Sequence, residues 1–204
     1  MSAQSLLKTS TEDEPVNRTQ VKLFSSLNAD AFEFVPIFHR WIRDHQLDEL
    51  LIDVVDYSHV RHGPEVVLVG HESDYAIDRT FGKLGLLYTQ KRLLDAPDNP
   101  WLGAIRRALH ACVLLQSESG PTTPLAFRTD EMTLRVADRL LAPNTDVTFE
   151  RLQPEINDAL RTCYGSTDFS LERAGSPREL FAVEVHAPGA PPPAELLQRL
   201  ALVH

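Results

Sequence analysis

The sequence predicts a single α+β domain: a largely antiparallel sheet of about seven or eight strands, with about four helices mostly on one face. Three observations carry this. Apolar residues at spacings of three and four mark helices, and short apolar or alternating runs between them mark strands. In the middle of the chain, strand-like runs follow one another with short links, as an antiparallel meander requires. Helix starts near Asn99, Asp146 and Pro193 fall about 47 residues apart, which suggests helix–strand–strand units.

Residues 1–18 are polar and acidic, with only Leu6, Leu7 and Val16 to bury, and read as a disordered N-terminal tail. The domain is expected over 19–204. It opens with a strand at Gln20–Phe24. Asn28 and Asp30 give a helix-cap signal, and Phe34, Phe38, Trp41, Ile42 and His45 follow at helical spacing, with Pro36 tolerated near the start. The aromatics Phe32, Phe34, Phe38 and Trp41 are expected in the core. Leu50–Tyr57 is apolar on both alternating sets, as central strands are. Val66–Val69 and Leu84–Tyr88 read as the next two strands, with a turn at His59–Pro64.

Asn99-Pro100 is a cap followed by proline at the first helical position, and Trp101, Ile105, Leu109 and Cys112 continue that helix. Leu125–Arg128 and Glu131–Leu140 read as two strands. Asn144 to Asp146 caps a third helix with its stripe at Phe149, Leu152, Ile156, Leu160 and Cys163; it ends at Gly165 and is kinked or split at Pro154. Phe169–Leu171 and Leu180–His186 form a hairpin, and the proline-rich stretch 188–193 leads into a closing helix, Ala194–Leu202. In this half each strand has a polar set: Thr133, Arg135 and Arg139, then Ser170 and Glu172, then Glu184 and His186. That sheet face is expected to be wet or covered by a second subunit.

The chain has 204 residues, 20 Lys+Arg against 29 Asp+Glu, and a net charge of −9. Nucleic acid and anionic membranes need a positive footprint, so neither is the expected partner. No apolar run approaches the ~20 residues that cross a bilayer, and the first residues lack a secretory pattern. Cys112 and Cys163 both fall on apolar helix stripes, as buried thiols do. A cytoplasmic protein is expected.

Candidate chemistry concentrates in the segment 53–78, which holds Asp53, Asp56, His59, His62, His71, Glu72, Asp74 and Asp78. Two histidines and a carboxylate suffice for an open metal site, which makes His59, His62 and His71 the candidate ligands. His71, Glu72 and Asp74 are the candidate catalytic groups. Their placement works against convergence, because His59 and His62 precede one strand and His71 follows it. Asp53 interrupts an apolar strand, where burial would demand a partner. No GxGxxG, P-loop, GxSxG or CxxC pattern occurs. His45 falls near a helix C-terminus, a structural position, and Arg40/Arg43 and Arg106/Arg107 read as solvated helix faces.

The run His62 to Arg92 (HGPEVVLVGHESDYAIDRTFGKLGLLYTQKR), with Phe127–Asp130 and Arg139–Thr145, resembles sequences of an uncharacterised bacterial family without an assigned activity. The resemblance implies a bacterial cytosolic protein and brings no catalytic residue, substrate or cofactor. The expected function is a non-enzymatic binding or accessory protein of unknown ligand, self-associating through the wet sheet face or an edge strand. The alternative is a small metal-dependent enzyme, or metal-binding protein, built on the segment 53–78.

Overall fold

A computed structural model describes residues 18–60, 63–91, 99–119 and 125–201. Most of the expected N-terminal tail therefore lies outside the described residues, as does His62. The strands are β1 (Thr19–Ser25), β2 (Leu51–Asp56), β3 (Pro64–Gly70), β4 (Ser73–Asp78), β5 (Gly85–Gln90), β6 (Phe127–Val136), β7 (Ser170–Ala174) and β8 (Phe181–His186). They form one eight-stranded sheet in the order β2-β3-β4-β5-β1-β6-β8-β7. Each pairing in it is antiparallel. The helices are α1 (Val35–Asp44), α2 (Pro100–Ser117), α3 (Asp146–Tyr164) and α4 (Pro193–Ala201). No helix among the described residues is long and apolar enough to cross a membrane.

Helix boundaries follow local chemistry. Asp30 caps a 3-10 turn over Ala31–Phe34 by accepting from Phe32 N–H, and that turn leads into α1 with Pro36 in its first turn. His45 closes α1 in the left-handed region at φ 51°. Asn99 accepts from the N–H groups of Trp101 and Leu102 ahead of α2, and Thr145 accepts from Thr148 ahead of α3. α3 runs unbroken through Pro154 to Gly165, whose φ of 66° suits glycine at the C-terminal cap. Pro154 neither splits the helix nor ends it.

The strands place alternate residues on opposite faces. Val21 and Leu23 of β1, Leu86 and Tyr88 of β5, and Met132, Leu134 and Val136 of β6 share one core. Phe38, Trp41, Trp101, Ile105, Leu152, Ile156 and Leu196 of the helices complete it. All four helices contribute to this face of the sheet.

The other face starts with Val67, Ala76 and Leu87, a small apolar cluster that continues in register through Lys22 to Thr133, Glu184 and Glu172. It is wet only in part. Glu172 and Glu184 are exposed, whereas Thr133 and Arg135 are buried at 7% and 9%.

Five sequence expectations need correction. Leu50–Tyr57 yields β2, an edge strand; a bulge between Leu51 and Asp53 leaves Ile52 exposed while Val54 packs on the core. The meander has four strands, because Ser73–Asp78 is β4, with Tyr75 and Ile77 turned to the core. Leu125–Arg128 and Glu131–Leu140 are replaced by one strand, β6. Phe32 is half exposed and lies outside the core. Four strands follow α1, one follows α2 and two follow α3, so the spacing of helix starts marks no repeat.

Candidate functional site

Glu49 ends the short loop between α1 and β2 and organises one end of the sheet. Its Oε2 accepts the main-chain N–H groups of Glu72 and Ser73, both at 3.0 Å, which fixes the β3–β4 turn. Its Oε1 accepts the hydroxyls of Ser73 and of Tyr75, the latter at 2.9 Å. Gly70 makes this approach possible, since a Cβ there would collide with Glu49 Oε2 and stand 2.7 Å from Ser73 O.

Tyr75 meets Tyr88 edge-on, with ring centroids 5.3 Å apart. Arg107 Nη1 reaches Tyr88 Oη at 3.4 Å. Burial pushes the Tyr75 phenol well above its ordinary value and raises that of Tyr88, so both stay protonated and serve as hydrogen-bonding groups.

Beside this network lies a cleft of about 440 Å³. α2 contributes Arg106, Arg107 and His110, which its helical spacing gathers on one side. The loop ahead of β2 contributes Leu47, Asp48 and Glu49; Tyr75 and Leu197 of α4 complete the lining. Arg107 and His110 are half buried and Asp48 is exposed. None of these three forms an ion pair among the described residues. Arg106 is exposed, as a solvated helix face requires, whereas Arg107 is half buried against Tyr88.

The sequence candidates lie elsewhere. His59 is exposed on the β2–β3 turn, and His71 is exposed at the far end of the seven-residue β3, about 20 Å away by strand geometry. Asp74 pairs with Lys91 at 2.8 Å, and Glu72 lends its main-chain N–H to Glu49. Asp78 is fully buried against Lys22. Among the described residues, no group of three or more His, Cys, Asp or Glu side chains could hold a metal ion. Asp53 is exposed and accepts the N–H of Val54.

Both cysteines are buried free thiols. Burial raises Cys112 well above the ordinary thiol value and Cys163 to about 12, so neither is a ready thiolate. The Ser73 hydroxyl is buried and bonds to Glu49 and Tyr75, with no imidazole among its hydrogen-bond partners in the described residues. What the cleft offers is a cationic side, an acidic side and apolar contact between them, an arrangement that binds and orients.

Sequence reading missed this cleft because its residues run from position 47 to 197. The one local signal was three basic groups, Arg106, Arg107 and His110, close together on a helix whose apolar stripe is buried. No protein-family model matches the chain, and no curated protein matches it.

Proposed function

We propose that this chain is a binding protein that holds a small polar ligand in the cleft between α2, α4 and the loop 47–49. One observation carries the reading. Arg107 is a half-buried guanidinium that donates to the neutral Tyr88 phenol, and it opens on a cleft that also holds Asp48. A half-buried guanidinium engaged at one nitrogen keeps further donors for a ligand's acidic group, and such charge-assisted bonds are strong. The cleft's groups recognise and position; the protein works without bond-making chemistry of its own.

Self-association belongs to the same reading. Leu50, just ahead of the edge strand β2, and Ile52 within it are 65% and 55% exposed, and a second copy would cover them. A cytoplasmic setting fits two buried thiols that form no disulfide, and the net charge of −9 works against a nucleic-acid partner.

The test is a fragment screen on the isotopically labelled chain, read by chemical-shift changes. Fragments that shift Arg107, His110 and Tyr75 together, and cease to do so in Arg107→Gln, support the reading. A library of charged and polar fragments that leaves those signals unmoved overturns it.

A further inference from the structure

We infer that the cleft recognises a zwitterionic α-amino acid with an apolar side chain. This rests on the binding reading above and adds the chemistry of the ligand.

The charges in the cleft are sorted by element. α2 supplies the cations and the loop ahead of β2 supplies the anions. A planar guanidinium presents a fork of donors that fits a carboxylate, and Arg107 uses one nitrogen on a 3.4 Å contact with the Tyr88 phenol. His110, one turn further along α2, adds a donor on the same side.

On the acidic side, Glu49 is occupied by two main-chain N–H groups and two hydroxyls. Asp48 has no ion pair or hydrogen bond among the described residues, so its carboxylate is the one open to an ammonium. Leu47 and Leu197 line the same space and suit an aliphatic side chain.

Other charge patterns fit worse. A dicarboxylate would set one negative group against Asp48 and Glu49, and a diamine would set one positive group against Arg106 and Arg107. Like charges within one cleft oppose binding. A dipolar ion satisfies both sides at once. The cleft volume of about 440 Å³ lies towards the small end of ligand sites, which run from about 300 to 1,000 Å³.

The test titrates the full chain with L-leucine, N-acetyl-L-leucine and L-leucinamide, by calorimetry and by the His110 ring signals. L-leucine should bind about tenfold or more tightly than either blocked analogue, since each loses one charge-assisted contact. Asp48→Asn, an exposed position, should abolish the preference over N-acetyl-L-leucine. Arg107→Gln, which keeps a donor towards Tyr88, should abolish the preference over L-leucinamide. Equal binding of a blocked analogue at the cleft overturns the zwitterion and leaves the binding reading intact. Binding of none of the three overturns it as well, and the fragment screen then decides separately whether the cleft binds anything.

Discussion

Lys22 Nζ lies 2.6 Å from Asp78 Oδ2, and both side chains are fully buried on the face of the sheet that carries no helix. Lys22 also donates to Thr80 O at 2.9 Å and stands 5.3 Å from the Phe24 ring centroid. Burial drives the Lys22 ammonium below its ordinary pKa, and Asp78 opposes that shift without cancelling it. A buried pair of this kind is weak evidence for net stabilisation, yet removing one member strands the other. It closes the middle of a face that sequence alone suggested was wet.

Asp78→Ala should therefore destabilise the fold by about 3–5 kcal/mol, the usual cost of leaving a buried charge without its partner. The double variant Lys22→Met, Asp78→Leu should recover much of that loss, because the Lys22 ammonium is then not left buried without its partner. Urea midpoints with unchanged slopes would check both. If the double variant is as unstable as the single one, the pair acts through shape and not through charge.

The free edge of β2 is defended by its own acids. Tyr57 N–H bonds to Glu65 O on β3, so the N–H groups of Val54 and Ser58 turn outward by alternation. Asp53 Oδ1 accepts the first and Asp56 Oδ1 the second, each at 2.8 Å. Replacing Asp53 and Asp56 together with valine should free those donors and remove two repelling charges. The variant should form larger species in light scattering at concentrations where the parent does not. If the proposed self-association runs through the exposed Leu50 and Ile52 side chains, Ile52→Lys should shift the parent towards monomer in the same measurement.

Alkaline pH should unfold the protein. Cys112, Cys163, Tyr75, Tyr88 and Tyr164 all have pKa values raised by burial. The unfolded chain ionises above the ordinary 9.0 of a thiol and 10.0 of a phenol, while the folded chain keeps its protons, so stability falls as pH rises through that window. Lys22 acts with the opposite sign, because its lowered pKa lets stability rise as pH approaches 10.5. Five acids oppose that one base. Thermal midpoints should drop steadily above pH 9, and Cys163→Ala should flatten the part of the fall that begins there.

Elements whose burial is decided locally could be read from the chain. α2 has a cap at Asn99, proline behind it and an apolar stripe, and nothing distant alters that outcome. β2 is the contrary case. Leu50 to Val55 suits a central strand, but its place is set by the order of the whole sheet, and a bulge turns Ile52 outward. β4 alternates Tyr75 and Ile77 against Asp74, Ala76 and Asp78, yet acids at its margins resemble a loop. Histidine density in 53–78 likewise described composition, while strand direction separates His59 from His71. The cleft depends on contacts between segments far apart in sequence, which no local pattern contains.

Glu49 offers the sharpest separation between holding the fold and shaping the cleft. Its carboxylate accepts from Glu72 N–H, Ser73 N–H, the Ser73 hydroxyl and the Tyr75 hydroxyl. Glu49→Ala leaves buried donors on Ser73 and Tyr75 without an acceptor, at about 1–3 kcal/mol for each such group. The cost should total several kcal/mol, beyond what loss of one half-buried charge explains. Glu49→Gln keeps one oxygen but places an amide where two donors already point, so it should recover only part of the loss. Gly70→Ala should mimic Glu49→Ala with the carboxylate still present, since the new methyl would occupy the place of Glu49 Oε2. Hydrogen exchange at the amides of Glu72 and Ser73 checks this locally. Both should exchange faster in all three variants, while Trp101 and Ile105 in the centre of the core keep their protection. Unchanged exchange at Glu72 and Ser73 in Glu49→Ala would mean that the β3–β4 turn is held by the strands alone.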